Sequence, residues 1–333
     1  MSAIFTTSGF GGQGMLMSSG AGQAEFFDTF QKDLYSFTSF VFSNAGVTGN
    51  VGPTYSQVKT KYAGTAWTQN QAYLDVQIQG YQTWTVPASA NYTIEVAGAA
   101  GGLSTASNGL GNVISSTFPL TRGDKVNICV GQKGTSRTGS GAGGGGGSFV
   151  VWSNGTPLII AGGGGGTTTG YPVFGPGING TSGTSGTKDG AMQGAGGANG
   201  LGGTTATDAV IAYYGHGGSG AGFLGDGGYI TGGTPTFHGK GGLSFANGLV
   251  GGAAGGYGAG FQGGDGGFGG GGGSGGSNDA RSCSGGGGGY SGGAGGNVSS
   301  ATNGGGGGGS YCLYSFSEMG RCASNGYVKI TKI

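Results

Sequence analysis

Residues 143–166 read GGGGGSFVVWSNGTPLIIAGGGGG: two short apolar runs, 149–152 and 158–161, separated by Asn and Gly turn residues and closed at both ends by five glycines. Apolar runs of four or five residues bounded by turn signals are strand candidates. Upstream, similar segments at 73–78, 81–86, 92–96, 113–120 and 125–130 are punctuated by Gly, Pro, Asn and Asp. Many short strands at this spacing predict an antiparallel sandwich or jelly roll. Alternation at Tyr35, Thr38, Phe40 and Phe42 adds a strand before the Gly52–Pro53 turn, and Thr54 is placed to cap a short helix through Tyr62. Residues 327–333 alternate again, so the last strand is expected to return to the sandwich.

Downstream the composition changes. Of 93 glycines in 333 residues, 20 fall in the first 140 and the remaining 73 in the last 193, so the bias belongs to one region. Further runs occupy 269–273, 285–289 and 304–309. No every-third-residue register is kept and only 7 prolines are present, which excludes collagen. Glycine has no side chain to bury and loses the most backbone entropy on folding, so order here must come from the main chain itself. Polyproline-II-like glycine helices have no internal hydrogen bonds and can exchange N–H to C=O bonds side by side. Disorder pairs high charge with few aromatics, whereas this chain has 8% charged residues, 15 Tyr, 17 Phe and 3 Trp.

The expected organisation is an N-terminal arm (1–33), whose residues 23–33 suit a short helix, a β-sandwich (34–161, completed by 326–333) and a glycine-rich polyglycine-II region (162–325). The fold class is all-β, a jelly-roll sandwich with an inserted bundle of polyglycine-II helices. Aromatic loops between the runs carry Tyr213, Tyr214, Phe223, Tyr229, Phe237, His238, Phe245, Tyr257 and Phe261. On a stiff slab these side chains either seal it against the sandwich or are displayed at low entropy cost.

Net charge is +1, which offers no basic stripe for nucleic acid. No stretch approaches the roughly 20 apolar residues of a membrane span, and residues 1–22 lack the basic patch and apolar run of a secretory signal. Cys312 and Cys322, ten residues apart, can staple a loop, or all four cysteines are free. With two His and no CxxC pair, neither a zinc site nor another cofactor is expected. Ser274 sits in a GxSxG spacing, but inside a glycine run. Arg122-Gly123-Asp124 reads as a turn opening a strand. No nucleophile, acid and base cluster stands out, so the chain is expected to be no enzyme.

The stretch at 143–166, with GGFGGGGGSGGSNDARSCSGGGGGYSGGAGGN at 266–297, resembles the extracellular glycine-rich region of anaplastic lymphoma kinase and leukocyte tyrosine kinase, a likeness covering roughly 79–333. It implies a tumour-necrosis-factor-like sandwich joined to glycine helices, and with it a homo-oligomer, a trimer among the options. Residues 37–62 and 81–102 are similar to structural proteins of phages and large-genome viruses, and glycine slabs with variable tips resemble phage tail-fibre adhesins. The leading expectation is a virion-surface or extracellular subunit that contacts other virion proteins or its own copies and attaches to a host protein or glycan. A self-assembling filament or coat subunit and a soluble ectodomain-like ligand-binding module are the alternatives.

Overall fold

The computed structural model describes residues 32–104, 107–168, 175–188, 194–205, 215–257, 261–276, 282–297 and 304–333. The expected helix over 23–33 therefore lies outside them, apart from its last two residues. Among the described residues no helix is long and apolar enough to cross a membrane.

Two antiparallel sheets form a β-sandwich. The five-stranded sheet runs in the order β1 (Ser39–Phe42), β13 (Tyr327–Lys332), β4 (Ala90–Ala97), β5 (Gly111–Leu120), β12 (Ser317–Cys322). The six-stranded sheet runs β11 (Tyr311–Cys312), β8 (Pro157–Ala161), β7 (Ser148–Trp152), β6 (Lys125–Cys129), β3 (Gln82–Thr85), β2 (Leu74–Asp75). A two-stranded pair, β9 (Gly256–Tyr257) with β10 (Phe261–Gln262), belongs to the glycine region. Register in the five-stranded sheet places Ile94 opposite Ile330 and Val96 opposite Val328, all buried, so period-two alternation sends one apolar row inward. The final strand does return to the sandwich.

Trp84, Tyr92, Phe42 and Phe118 are the largest side chains wholly buried between the sheets. One end is closed by α1 (Tyr55–Lys61), whose start carries a reciprocal capping box between Thr54 and Gln57. Val58 and Tyr62 point inward from it, and the Tyr62 hydroxyl donates to Gln82 Oε1 at 3.0 Å.

Two strands depart from expectation. β11 and β12 fall in the stretch assigned to the glycine region, yet each pairs at the edge of a sheet. Five of the six β12 residues are exposed, so the strand carries no apolar alternation to reveal it. Conversely, β2 is only two residues long.

The glycine runs form a body of their own, built from main chain. The N–H groups of Gly163 and Gly166 donate to Gly288 and Gly285, while those of Gly164 and Gly165 go to Ala99 and Ile178. Likewise Gly285 and Gly288 donate to Ala142 and Gly145, with Gly286 and Gly287 turned to Gly218 and Gly306. In these two runs, amides three apart return to the same neighbour and the two between face others. Residues 98–102 and 131–134 join this network, so it begins inside the stretch read as sandwich.

This body covers part of the outer face of the six-stranded sheet. Tyr81, Cys129, Phe149, Val151 and Ile160 pack there against Phe223, Leu249 and Phe268. Both faces of β7 and β8 are thus buried, which explains why FVVW and LIIA are continuous apolar runs instead of alternating ones.

Burial has a titration signature. It raises the phenols of Tyr35, Tyr62 and Tyr81 above their ordinary value and pushes Tyr92 up to about 12, with the hydroxyl bond to Ala88 opposing and the Asp33 charge reinforcing. Phenols of the unfolded chain ionise near pH 10. The stability that Tyr92 supplies is complete below that pH and is lost as pH rises from about 10 through its folded value of about 12. An alkaline titration should show the tyrosinate absorbance of these buried phenols rising together with loss of the sheet circular dichroism. All 15 tyrosines ionising near pH 10 with the fold intact would refute the packing.

Candidate functional site

Two interlocked turns of the glycine body carry exposed leucines. In the first, Leu201 N donates to Ala198 O at 3.0 Å, and Asn199 and Gly200 both take positive φ (53° and 84°), as a primed turn requires. In the second, Gly222 N donates to Gly225 O at 2.8 Å. Leu224 N donates to Gly200 O at 2.7 Å, which locks one turn on the other. Each leucine lies over the other turn's glycine: a Cβ on Gly200 would sit 3.0 Å from Leu224 Cγ, and one on Gly225 3.2 Å from Leu201 Cδ2. Both leucines remain open to solvent, Leu201 at 56% and Leu224 at 64% exposure. Two exposed leucines on a main-chain-fixed platform form an apolar knob.

Asp226 follows directly. Partial burial alone would raise its carboxyl, but bonds from the Ser244 amide and the Asn247 side chain outweigh this and hold it below its ordinary value. Tyr229 is also exposed, at 43%, and its ring lies 4.4 Å from Lys240 Nζ. Such a cation–π contact stabilises by about 0.5–1 kcal/mol.

The other predicted loop aromatics are placed differently. Phe223 is buried and meets Phe245 at 5.1 Å; Phe245, half-buried, reaches Tyr81 and Phe149 and accepts the Tyr81 hydroxyl at its carbonyl. These two seal the glycine body to the sheet. His238 is buried, with its Nδ1 accepting His216 N at 3.2 Å and its ring 5.4 Å from that of His216. Burial and the Lys240 charge lower its pKa. Phe237 is half-buried in a short 3-10 turn. Tyr257 and Phe261 are paired positions of β9 and β10, and Tyr213 and Tyr214 lie outside the described residues. Sequence reading missed Leu201 and Leu224, since it selected aromatics only; the signal was an apolar residue beside Asn-Gly and Gly-Asp turn pairs.

The Cys312–Cys322 staple is not formed: no disulfide joins any of the described cysteines. Cys312 pairs with Ile159 in the six-stranded sheet and Cys322 with Gly111 in the five-stranded one, so the intervening chain crosses between sheets. Ser274 Oγ donates to Gly141 O and accepts from Gly264 N, both at 2.7 Å, as a bridge inside the glycine body. At Arg122-Gly123-Asp124 the chain turns, with Gly123 at φ 89° and Asp124 Oδ2 accepting Thr121 N.

No protein-family profile matches the chain. The leukocyte tyrosine kinase receptor of Mus musculus is 37% identical over 99 residues, 28% of this chain and 11% of the receptor. The chain spans about a tenth of that relative's length, and the likeness is a distant one to part of that receptor.

Proposed function

We propose that this chain is a non-enzymatic, exposed structural subunit of a virus particle that mediates attachment to a host surface. The sandwich is the mount and the glycine body the display platform. We infer that its runs are polyglycine-II helices, for which three residues per turn supply the period-three return of main-chain bonds. The observation that carries the reading is the Leu201–Leu224 knob. Large apolar groups are held in solvent on a backbone lattice that has no side chains to rearrange, an arrangement suited to a preorganised contact.

Mass spectrometry of purified particles should find the chain, and labelled protein should bind host cells. The double variant Leu201→Asp, Leu224→Asp should lose at least tenfold in cell binding while melting as the unaltered protein does. Absence from particles together with no cell binding would overturn the proposal.

The receptor match favours one further reading, a soluble ectodomain-like module that binds a protein ligand. Capture of one specific protein partner by a chain absent from particles would support it.

A further inference from the structure

The outer face of the six-stranded sheet changes character where the glycine body ends. Along β6, Cys129 is covered while Asn127 and Lys125 are not; along β3 and the residue before it, Tyr81 is covered while Thr83 is only half-buried. β7 shows the same step from buried Phe149 and Val151 to exposed Ser153. The uncovered part is concave, a groove of about 260 Å³ walled on its far side by residues 71–78. A shallower hollow beside Trp152 and Asn154 shares Lys125 and Ser153 with it, so the two run on from one another. The Tyr81 hydroxyl, bonded to the Phe245 carbonyl, places a glycine-region loop beside the groove.

We propose that this groove binds a neutral saccharide. Its polar groups are fixed before any ligand arrives. Asp75 Oδ1 accepts from Gln71 Nε2 at 2.9 Å and from Val76 N at 2.8 Å, which orients the carboxylate and leaves its second oxygen as an acceptor. The Thr83 hydroxyl donates to Asn127 Oδ1 at 2.8 Å, which turns that amide so that its NH2 is the group available to donate. The Thr85 hydroxyl bonds Ala72 O at 2.8 Å and ties the wall to the floor. Gln77 adds an exposed amide, and Ile78, 58% exposed, an aliphatic surface.

Neighbouring ring hydroxyls each donate and accept, which matches a carboxylate oxygen next to an amide NH2, while the C–H face of a sugar ring matches the isoleucine. A phosphate or other strong anion is disfavoured, because the Lys125 ammonium shares the groove with the Asp75 carboxylate. An aromatic or lipid ligand would need a deeper apolar cavity than Ile78 provides. The saccharide site deepens the attachment reading and takes from it only the source of the sugar, a cell surface.

The test is the intact chain on a printed array of neutral and acidic oligosaccharides, followed by titration of the best neutral ligand. At least one neutral glycan should bind, with Kd in the millimolar range typical of shallow sites. Asn127→Ala and Gln77→Ala should each weaken it at least tenfold, and Gln77→Ala, fully on the surface, should not change the melting temperature. A silent array, binding to acidic glycans alone, or neutral-glycan binding that survives both substitutions would overturn the site. Cell binding that persists beside a silent array would reject the groove and leave the attachment reading standing. Glycan binding by a chain found neither in particles nor on cells would do the reverse.

Discussion

Gly144→Ala should collapse the melting transition of this protein or prevent folding, whereas Gly64→Ala should leave it unchanged or slightly raised. Gly144 N donates to Gly272 O at 2.9 Å and its carbonyl accepts from Gly267 N. A methyl group there would fall well inside 3.0 Å of the Gly286 main chain, a separation that real Cβ atoms do not show. Overpacking in ordinary cores costs about 1–3 kcal/mol because side chains can move aside. Here the obstruction is backbone that is itself bonded on other sides, so the loss should exceed about 3 kcal/mol, the upper end of that range. Around Gly64 nothing lies within 4 Å. Alanine there only restricts the unfolded chain, worth about 0.4–1 kcal/mol in the stabilising direction. Thermal melts of the two variants decide the matter, and equal melting temperatures would mean that the runs do not touch.

Phe268→Ala should cost about 3–5 kcal/mol, the usual loss on emptying a buried aromatic site. The ring is fully buried in the cluster that joins the glycine body to the six-stranded sheet. It occupies space left by two missing side chains: a Cβ on Gly52 or on Gly80 would collide with it. Its backbone is tied in as well, with Phe268 N donating to Gly49 O and its carbonyl accepting Gln132 N. Hydrogen exchange should therefore accelerate first at Gln132 and Phe268, before the β4–β13 ladder responds. Phe316→Ala, at an exposed position (39%), is the control and should stay within about 0.5 kcal/mol. A Phe268→Ala protein as stable as that control would show that the two bodies are not joined through this ring.

The sandwich was legible wherever one row of residues is apolar and the next polar. Tyr92, Ile94 and Val96 announce β4, and the helix over 55–61 follows from the Thr54 cap, to which the structure adds Gln57 as its reciprocal partner. β12 was illegible for the converse reason: Ser317, Glu318, Met319, Gly320 and Arg321 are all exposed, so no inward row exists to read. Spacing in the chain could not choose between a staple and unlinked thiols at Cys312 and Cys322, because ten residues also suffice to pass from one sheet to the other. In the glycine region a loop residue has no periodic neighbours to state which way it faces. Phe223 and Tyr229 look alike in the sequence, yet one is buried and the other exposed. The groove at Asp75 and Asn127 was hidden for a further reason: alternation marks an outer face but not its curvature, which arises from the wall at 71–78 and the neighbouring glycine loop.

The period-three return of amides also sets a rule for how such a protein can change length. Adding three residues inside a run restores the phase of every donor, so the lattice simply extends and carries its loops further out. In the polyglycine-II geometry proposed for the runs, adding one would rotate all later donors by about a third of a turn, away from carbonyls that wait at fixed angles. Growth or trimming by triplets is therefore the inexpensive route, and drift in loop sequence between runs leaves the scaffold untouched.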